Sequence, residues 1–91
     1  MSLVDGLALY ETRTCPYCVR VRNFIMDQGR QIEIRDIRSD RSSRDEMFEA
    51  TGSRMVPCLR IEKEDGSYDW MHESADIIDY LKARFAREAS A

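Results

Sequence analysis

Two cysteines near the start of the chain carry the most reactive chemistry that the sequence offers. Cys15 and Cys18 are separated by two residues, a spacing used by redox-active dithiols and by halves of metal sites. A zinc site would need two further ligands, and only Cys58 and His72 remain to supply them, from separate segments. The pattern therefore favours a dithiol that exchanges with disulfides, and we expect no bound metal.

The residues around this pair predict which thiol is accessible. Proline is favoured in the first turn of a helix, so Pro16 predicts a helix that begins directly after Cys15. At that position the free backbone N–H groups and the helix dipole stabilise a thiolate. Cys18 lies one turn further along the same helix face and closer to the core. We therefore expect only the Cys15 sulfur to face solvent.

Hydrophobic periodicity predicts the elements that must position the two thiols. The apolar run at residues 7–10 predicts a strand buried on both faces, followed by a polar connection over residues 11–14. Apolar residues recur at helical spacing from Pro16 to about Gln28, which predicts a helix that Gly29 ends. Apolar and polar residues alternate over residues 31–35, which predicts a second strand. The order strand, helix, strand predicts that the two strands are parallel and joined by a right-handed crossover.

The second half of the sequence predicts a helix, a hairpin and a final helix. Ser43 and Glu46 match a capping box, which predicts a short helix ended by Gly52. Residues 56–61 and 68–71 predict two strands on either side of an Asp-Gly turn, and residues 74–87 predict the last helix. The order βαβαββα predicts the α/β class, with a mixed four-stranded sheet and helices on both faces. We expect one domain over residues 1–91, with an ordered core at about 7–87.

Composition limits the classes of function. The chain has 91 residues, 43% of them hydrophobic and 34% charged, which is typical of one folded globular domain. It contains no run of 18 apolar residues and no signal-peptide pattern at its start, so we expect a cytoplasmic protein without a membrane partner. Its net charge of −3 gives no support to nucleic-acid binding.

Charge is unevenly distributed along the chain. Residues 1–44 contain 8 arginines and 6 acidic residues, whereas residues 45–91 contain 6 basic and 11 acidic residues. Two interpretations remain open for the arginine-rich half. It forms an ordinary solvated surface, or it creates a local positive field that attracts a small anionic ligand.

Two motifs together resemble the dithiol glutaredoxins, over about residues 7–87. Residues 14–18, Thr-Cys-Pro-Tyr-Cys, resemble the active-site sequence of that family, and the element order resembles its thioredoxin-like fold. Residues 55–57, Met-Val-Pro, match the family's Thr-Val-Pro, whose proline is cis and faces the redox cysteine. The resemblance implies that Cys15 is the nucleophile and Cys18 the resolving thiol. It also implies a monomer that uses glutathione as co-substrate, without a resident cofactor.

The same resemblance implies where glutathione binds. The backbone of Val56, beside the cis Pro57, would pair with the cysteinyl part of glutathione, and Tyr17 would line the groove. Glutaredoxins usually have a lysine at the position of Thr12 for the glycine carboxylate of glutathione. Arg13 is our candidate to replace that lysine, with Arg44 as a further possibility.

The end of the sheet departs from the glutaredoxin pattern. The family's Gly-Gly-x-Asp-Asp is absent, and the stretch around Glu73 and Ser74 is similar to the Glu-Ser motif of glutathione transferase N-terminal domains. At a helix start, backbone N–H groups hold a carboxylate, and Glu73 would receive the ammonium of the γ-glutamyl group. The alternative for these two residues is helix capping alone.

These patterns support one main hypothesis and two alternatives. The main hypothesis is a glutaredoxin-like oxidoreductase that reduces protein–glutathione mixed disulfides and protein disulfides. The first alternative is a glutathione transferase, and the length of 91 residues counts against it because such enzymes need a second, helical domain. The second is an iron–sulfur cluster carrier, which Pro16 disfavours because cluster-binding glutaredoxins usually have Gly or Ser there. We expect Cys58 to pack inertly, with an oxidation-sensitive thiol as the alternative, and His72 to lie on the surface or cap a helix.

Overall fold

A computed structural model describes residues 3–90, with side chains from residue 3 to residue 88. The elements are β1 (Leu7–Glu11), α1 (Pro16–Asp27), β2 (Glu33–Asp36), α2 (Arg41–Thr51), β3 (Cys58–Glu62), β4 (Tyr68–Met71) and α3 (Ser74–Ser90). They follow the predicted order βαβαββα, and the thioredoxin-like fold class is confirmed. Within the described residues, no helix has both the length and the apolar character needed to cross a bilayer.

The four strands form one mixed sheet in the order β2-β1-β3-β4. β1 pairs with β2 in parallel, and β3 pairs antiparallel with both β1 and β4. The carboxyl end of β1 therefore lies at the same edge of the sheet as the start of β3 and the end of β4. This topology brings together the segments that precede α1, β3 and α3.

Successive side chains of the internal strands point to opposite faces of the sheet and pack in two hydrophobic layers. Helices cover both faces, as predicted. On one face, Leu9 and Leu59 pack against α1 and α3, with Val21, Ile25, Ile77, Leu81 and Phe85. On the other face, Tyr10 and Cys58 pack against Met47 of α2. All residues of β1 are buried, because this strand is internal to the sheet and covered on both sides.

The start of α2 corrects the predicted capping box. The helix begins at Arg41, and its cap is Asp40, whose carboxylate accepts the Ser42 N–H at 3.1 Å. Ser43 is buried and donates its hydroxyl to Asp40 Oδ2 at 2.6 Å, so it cannot serve as the cap. Glu46 turns toward the sheet, where it contacts Tyr10.

The end of β1 corrects the predicted polar connection. Glu11 is the last residue of the strand and is only 1% exposed. Its Oε1 lies 2.8 Å from Arg22 Nε of α1, although the angle does not make a hydrogen bond. The opposite charge of Arg22 offsets the cost of burying this carboxylate. β3 also begins later than predicted, at Cys58, and β2 begins at Glu33.

Candidate functional site

A pocket of about 290 Å³ lies at the edge where the three segments meet. It is lined by residues from the start of α1, the segment before β3 and the start of α3: Tyr17, Met55, Val56, Pro57, His72, Glu73 and Ser74. The structure thus brings together five of the predicted glutathione-binding residues, which are separated by up to 57 positions in the sequence.

Cys15 is not among the residues that line this pocket, but it occupies the cap position of α1, two residues before Tyr17, which does line it. Its backbone is extended, with φ of −72° and ψ of 123°, and Pro16 occupies the first turn as predicted. Burial, the largest influence, raises the pKa of the Cys15 thiol, but hydrogen bonds from the backbone N–H of Cys18, the Cys18 thiol and the backbone N–H of Tyr17 outweigh it. The net effect is a pKa below that of an ordinary thiol. These contacts favour the thiolate, although no side-chain hydrogen bond of ordinary geometry caps this helix.

Cys18 differs from Cys15 in its surroundings. It is completely buried, whereas Cys15 is partly exposed. Burial raises the pKa of the Cys18 thiol to about 11, and a hydrogen bond from the Thr12 backbone N–H counteracts only part of this effect. Cys18 donates a hydrogen bond to the Cys15 sulfur and thereby stabilises the charge on Cys15 at the expense of its own ionisation.

The third cysteine belongs to a different part of the core. Cys58 is buried in the layer under α2, and burial raises the pKa of its thiol to about 12. It pairs in register with Tyr10 across the sheet. The described residues contain no group of three or more His, Cys, Asp or Glu side chains arranged to hold a metal ion.

The segment before β3 presents free backbone to the pocket. The Val56–Pro57 peptide bond is cis, as predicted. Val56 makes no backbone hydrogen bond with the rest of the described chain, so its N–H and C=O remain available. Tyr17 lines the same pocket and has 61% of its surface exposed.

The start of α3 presents a second set of free groups. Glu73 has a φ of 71°, in the left-handed region that non-glycine residues rarely adopt. The first backbone bond of the helix runs from the Ile77 N–H to the Glu73 carbonyl at 3.0 Å, so the N–H groups before it have no acceptor within α3. Ser74 is buried, whereas the Glu73 side chain is exposed at the rim. A carboxylate ligand could meet these N–H groups while Glu73 faces a cation.

Three further residues lie near the site or bear on it. Arg13 is exposed and lies outside the residues that line the pocket, so the pocket leaves its predicted role untested. Arg38, which the sequence did not single out, places Nη1 3.5 Å from Thr14 Oγ1, next to Cys15. His72 lines the pocket, and its buried Nε2 has no hydrogen-bond partner among residues 3–90. In the sequence, the only sign that His72 would line the pocket is its position directly before Glu73 and Ser74.

The sequence over residues 9–89 matches the family model described as "Glutathione S-transferase, N-terminal domain". The chain belongs to this family. The transferase-like part of the sequence resemblance is therefore confirmed at the level of the family, together with the thioredoxin-like fold. No curated protein matches the sequence.

Solved structures place this transferase N-terminal domain among glutathione-related proteins. Maleylacetoacetate isomerase from Anaeromyxobacter dehalogenans 2CP-1, solved with GSH bound in its active site, is 26% identical, with a TM-score of 0.61. The match covers 87% of this chain and 37% of the isomerase, so the chain spans little more than a third of that relative.

Two more distant structures share the fold alone. Glutathione transferase Omega 2C from Trametes versicolor is 17% identical with a TM-score of 0.70, and the match covers 92% of this chain and 40% of the transferase. A wheat glutaredoxin is 21% identical with a TM-score of 0.61, covering 85% of this chain and 71% of the glutaredoxin.

Proposed function

We propose that this domain is a glutathione-dependent thiol–disulfide oxidoreductase that reduces protein–glutathione mixed disulfides and protein disulfides. The observation that carries the proposal is the difference between its two neighbouring thiols. Cys15 is partly exposed at a helix start and has a lowered pKa, whereas Cys18 is fully buried with a pKa of about 11. One accessible thiolate beside one protonated thiol is the arrangement that thiol–disulfide exchange requires.

In the proposed reaction, the Cys15 thiolate attacks the glutathione sulfur of a protein–glutathione mixed disulfide. A disulfide forms between Cys15 and glutathione, and the protein thiolate leaves and takes up a proton. A second glutathione, as thiolate, then attacks this disulfide, releases oxidised glutathione and restores the Cys15 thiolate. With a protein disulfide as substrate, the Cys15 thiolate attacks one of its sulfurs, so that a disulfide forms between Cys15 and the protein and the other protein thiolate leaves and takes up a proton. Cys18 then loses its proton and attacks the Cys15 sulfur, which releases the second protein thiolate and leaves Cys15 bonded to Cys18. Two glutathione molecules reduce this disulfide in turn, become oxidised glutathione and restore both thiols.

The pocket beside Cys15 supports glutathione as the co-substrate. The unpaired backbone of Val56 would pair with the cysteinyl part, next to Pro57, and Tyr17 would cover it. The free N–H groups at Ser74 would hold the γ-glutamyl carboxylate, with Glu73 against the ammonium. A related isomerase binds glutathione in its active site, which agrees with this assignment.

The test is glutathione-dependent reduction of a small mixed disulfide, coupled to NADPH oxidation by glutathione reductase. We expect turnover by the wild-type domain and none by Cys15→Ser, whereas Cys58→Ser serves as the matched control and retains the wild-type rate. Absence of turnover by the wild-type protein would exclude the oxidoreductase.

A transferase-type function is the second candidate, and the family match over residues 9–89 favours it. In that case glutathione binds in the same pocket and its own thiolate attacks an electrophile, without a disulfide to Cys15. Conjugation of glutathione to an aryl halide distinguishes the two functions. Conjugation that persists in the Cys15→Ser variant, without mixed-disulfide reduction by the wild type, would support the transferase.

A further inference from the structure

The arginines of this domain differ in whether they have a carboxylate partner. Several form ion pairs with carboxylates within the described residues: Arg22, Arg30, Arg35, Arg41, Arg60 and Arg84. Arg13 and Arg38 are both exposed and have no carboxylate within ion-pair distance among residues 3–88. The charge of Arg13 also acts at longer range on the buried Glu11, whose pKa it lowers against the larger effect of burial, but both guanidinium groups remain open to solvent.

Both of these arginines belong to loops that border Cys15. Arg13 lies two residues before Cys15, and its backbone carbonyl accepts a hydrogen bond from Arg22 Nη2 at 2.8 Å, which fixes the loop. Arg38 lies in the turn after β2, where its N–H donates to Asp36 Oδ1 at 2.9 Å and its guanidinium reaches Thr14. The carboxylate of Glu11, the nearest buried acid, is engaged by Arg22. Two arginines without a carboxylate partner thus belong to two different loops next to the nucleophile, and Arg38 contacts the residue before Cys15.

A second groove, which shares His72 and Glu73 with the candidate site, carries an excess of acidic residues. This groove, of about 960 Å³, runs between the β3–β4 hairpin and α3. Its lining contains five acidic residues, Glu62, Glu64, Asp69, Glu73 and Asp76, and two cationic ones, Lys63 and Arg84. Charged side chains near Cys15 therefore differ between the two sides, with Arg13 and Arg38 in the two loops and an excess of carboxylates along the groove at the start of α3. Such a charge distribution orients a charged partner as it approaches.

We propose that Arg13 and Arg38 form an interaction surface for protein substrates whose target cysteine is flanked by aspartate or glutamate. The inference rests on the proposed function and names its preferred substrate class. Carboxylates beside the mixed disulfide pair with the two guanidinium groups, while the glutathione part occupies the pocket lined by Val56 and Glu73. The exchange reaction is the one given above, with glutathione as reductant.

The experiment compares two glutathionylated peptides that differ only in the residues next to cysteine. One peptide carries aspartate and glutamate there, and the other carries lysine. We expect the wild-type domain to reduce the acidic peptide faster, and to lose this preference as NaCl is raised, because salt screens exposed charges. Since both peptides carry the same glutathionyl group, any change in glutathione binding cancels in the ratio of their rates.

Arginine variants assign the preference to this surface. In the double variant Arg13→Gln/Arg38→Gln, we expect the acidic-to-basic rate ratio to fall about fivefold, as for the loss of two exposed charge pairs. Arg87→Glu is the matched control, since it also lowers the net charge by two units, but in the last turn of α3. That helix has 17 residues and is about 25 Å long, so its far end lies well away from the pocket. We expect this control to keep the wild-type ratio.

The outcomes separate this inference from the proposed function. A wild-type ratio near one, a ratio independent of salt, or an equal decrease in Arg87→Glu would overturn the interaction surface while the exchange activity stands. If neither peptide nor a small mixed disulfide is reduced, the proposed function fails, and the inference fails with it.

Discussion

The starts of α2 and α1 present the same kind of free backbone N–H groups and differ in what meets them. At α2, the Asp40 carboxylate accepts the Ser42 N–H and the hydroxyls of Ser42 and Ser43, so the helix start is satisfied by its own sequence. At α1, the cap residue is Cys15, and its N–H groups are directed at a sulfur. The first arrangement stabilises the helix, whereas the second stabilises a thiolate.

The start of α3 resembles that of α1 in this respect. Its first N–H groups have no acceptor within the helix, and among the described residues no side chain caps it with a hydrogen bond. The two helix starts without an oxygen cap border the same pocket, and the capped start does not line it. Free helix starts are costly to stability, so their convergence on one pocket indicates that they serve binding and chemistry there.

The comparison predicts its largest effect at the cap of α1. Replacing Cys15 by serine keeps a capping side chain but removes the thiolate, so mixed-disulfide reduction should fall roughly a thousandfold or more. Cys18→Ser should retain mixed-disulfide reduction and lose the reduction of protein disulfides. Steady-state rates on both substrate types measure this, and equal losses in the two variants would contradict the separate roles of the two thiols.

The start of α3 predicts the next largest effect. Glu73→Gln should weaken glutathione binding roughly tenfold, because it removes a charge-assisted contact with the γ-glutamyl ammonium. Calorimetric titration with glutathione measures the affinity, and the rate of Cys15 alkylation by a neutral reagent should stay unchanged.

Two companion variants separate the Glu73 carboxylate from its backbone. Glu73→Gly also removes the carboxylate but suits the φ of 71°, so it should bind glutathione as weakly as Glu73→Gln while unfolding at a higher temperature. Asp76→Asn tests the neighbouring acid in the first turn. Wild-type affinity in both Glu73 variants would limit this residue to shaping the helix start.

The thiol contact within α1 predicts a shift in pH dependence. The Cys18 thiol donates to the Cys15 sulfur and helps to lower the pKa of Cys15. Cys18→Ala removes this donor, so the pKa of Cys15 should rise and the alkylation rate should reach its half-maximum at higher pH. Cys18→Ser restores a donor and should return the profile toward that of the wild type. An unchanged or lowered midpoint in Cys18→Ala would show that the backbone N–H groups alone stabilise the thiolate.

The capped helix start predicts the smallest effect on activity. Asp40→Ala should lower the melting temperature by about 5 °C and leave exchange rates unchanged. Hydrogen bonds from Ser43 and Ser42 lower the pKa of Asp40, so its stabilisation is present above the unfolded-state pKa and disappears as pH falls through the lower folded value. The difference in melting temperature from the wild type should therefore vanish in acid. A loss of activity in this variant would contradict the assignment of a purely structural role to the start of α2.

Most of the fold and the centre of the site could be predicted because local rules and topology agree there. Pro16 after Cys15 defines the start of α1, and the apolar run of β1 defines the internal strand. Asp40 was missed because Ser43 and Glu46 have the spacing of a capping box. The preference between two possible caps depends on which side chain faces the core, and that is decided by packing.

The residues that sequence reasoning missed depend on contacts between distant segments. Glu11 is tolerated inside the core because Arg22 reaches it from α1, and no local pattern reports such a pair. Arg38 borders Cys15 because the turn after β2 folds back toward Thr14. Charged residues in loops carry no periodicity, so only the folded structure shows which of them surround the nucleophile.

The division of the cysteines between the two sides of the sheet has a consequence for oxidative damage. Three cysteines allow three intramolecular disulfides, and each disulfide would link a different pair of positions in the chain. Cys58 packs in the layer under α2, while α1, which starts directly after Cys15 and contains Cys18, covers the opposite layer with Val21 and Ile25. Because the sheet separates Cys58 from the other two cysteines, we expect only the Cys15–Cys18 disulfide to form without rearrangement of the backbone. Under oxidative stress the domain should accumulate a single, glutathione-reversible product instead of a mixture of scrambled forms.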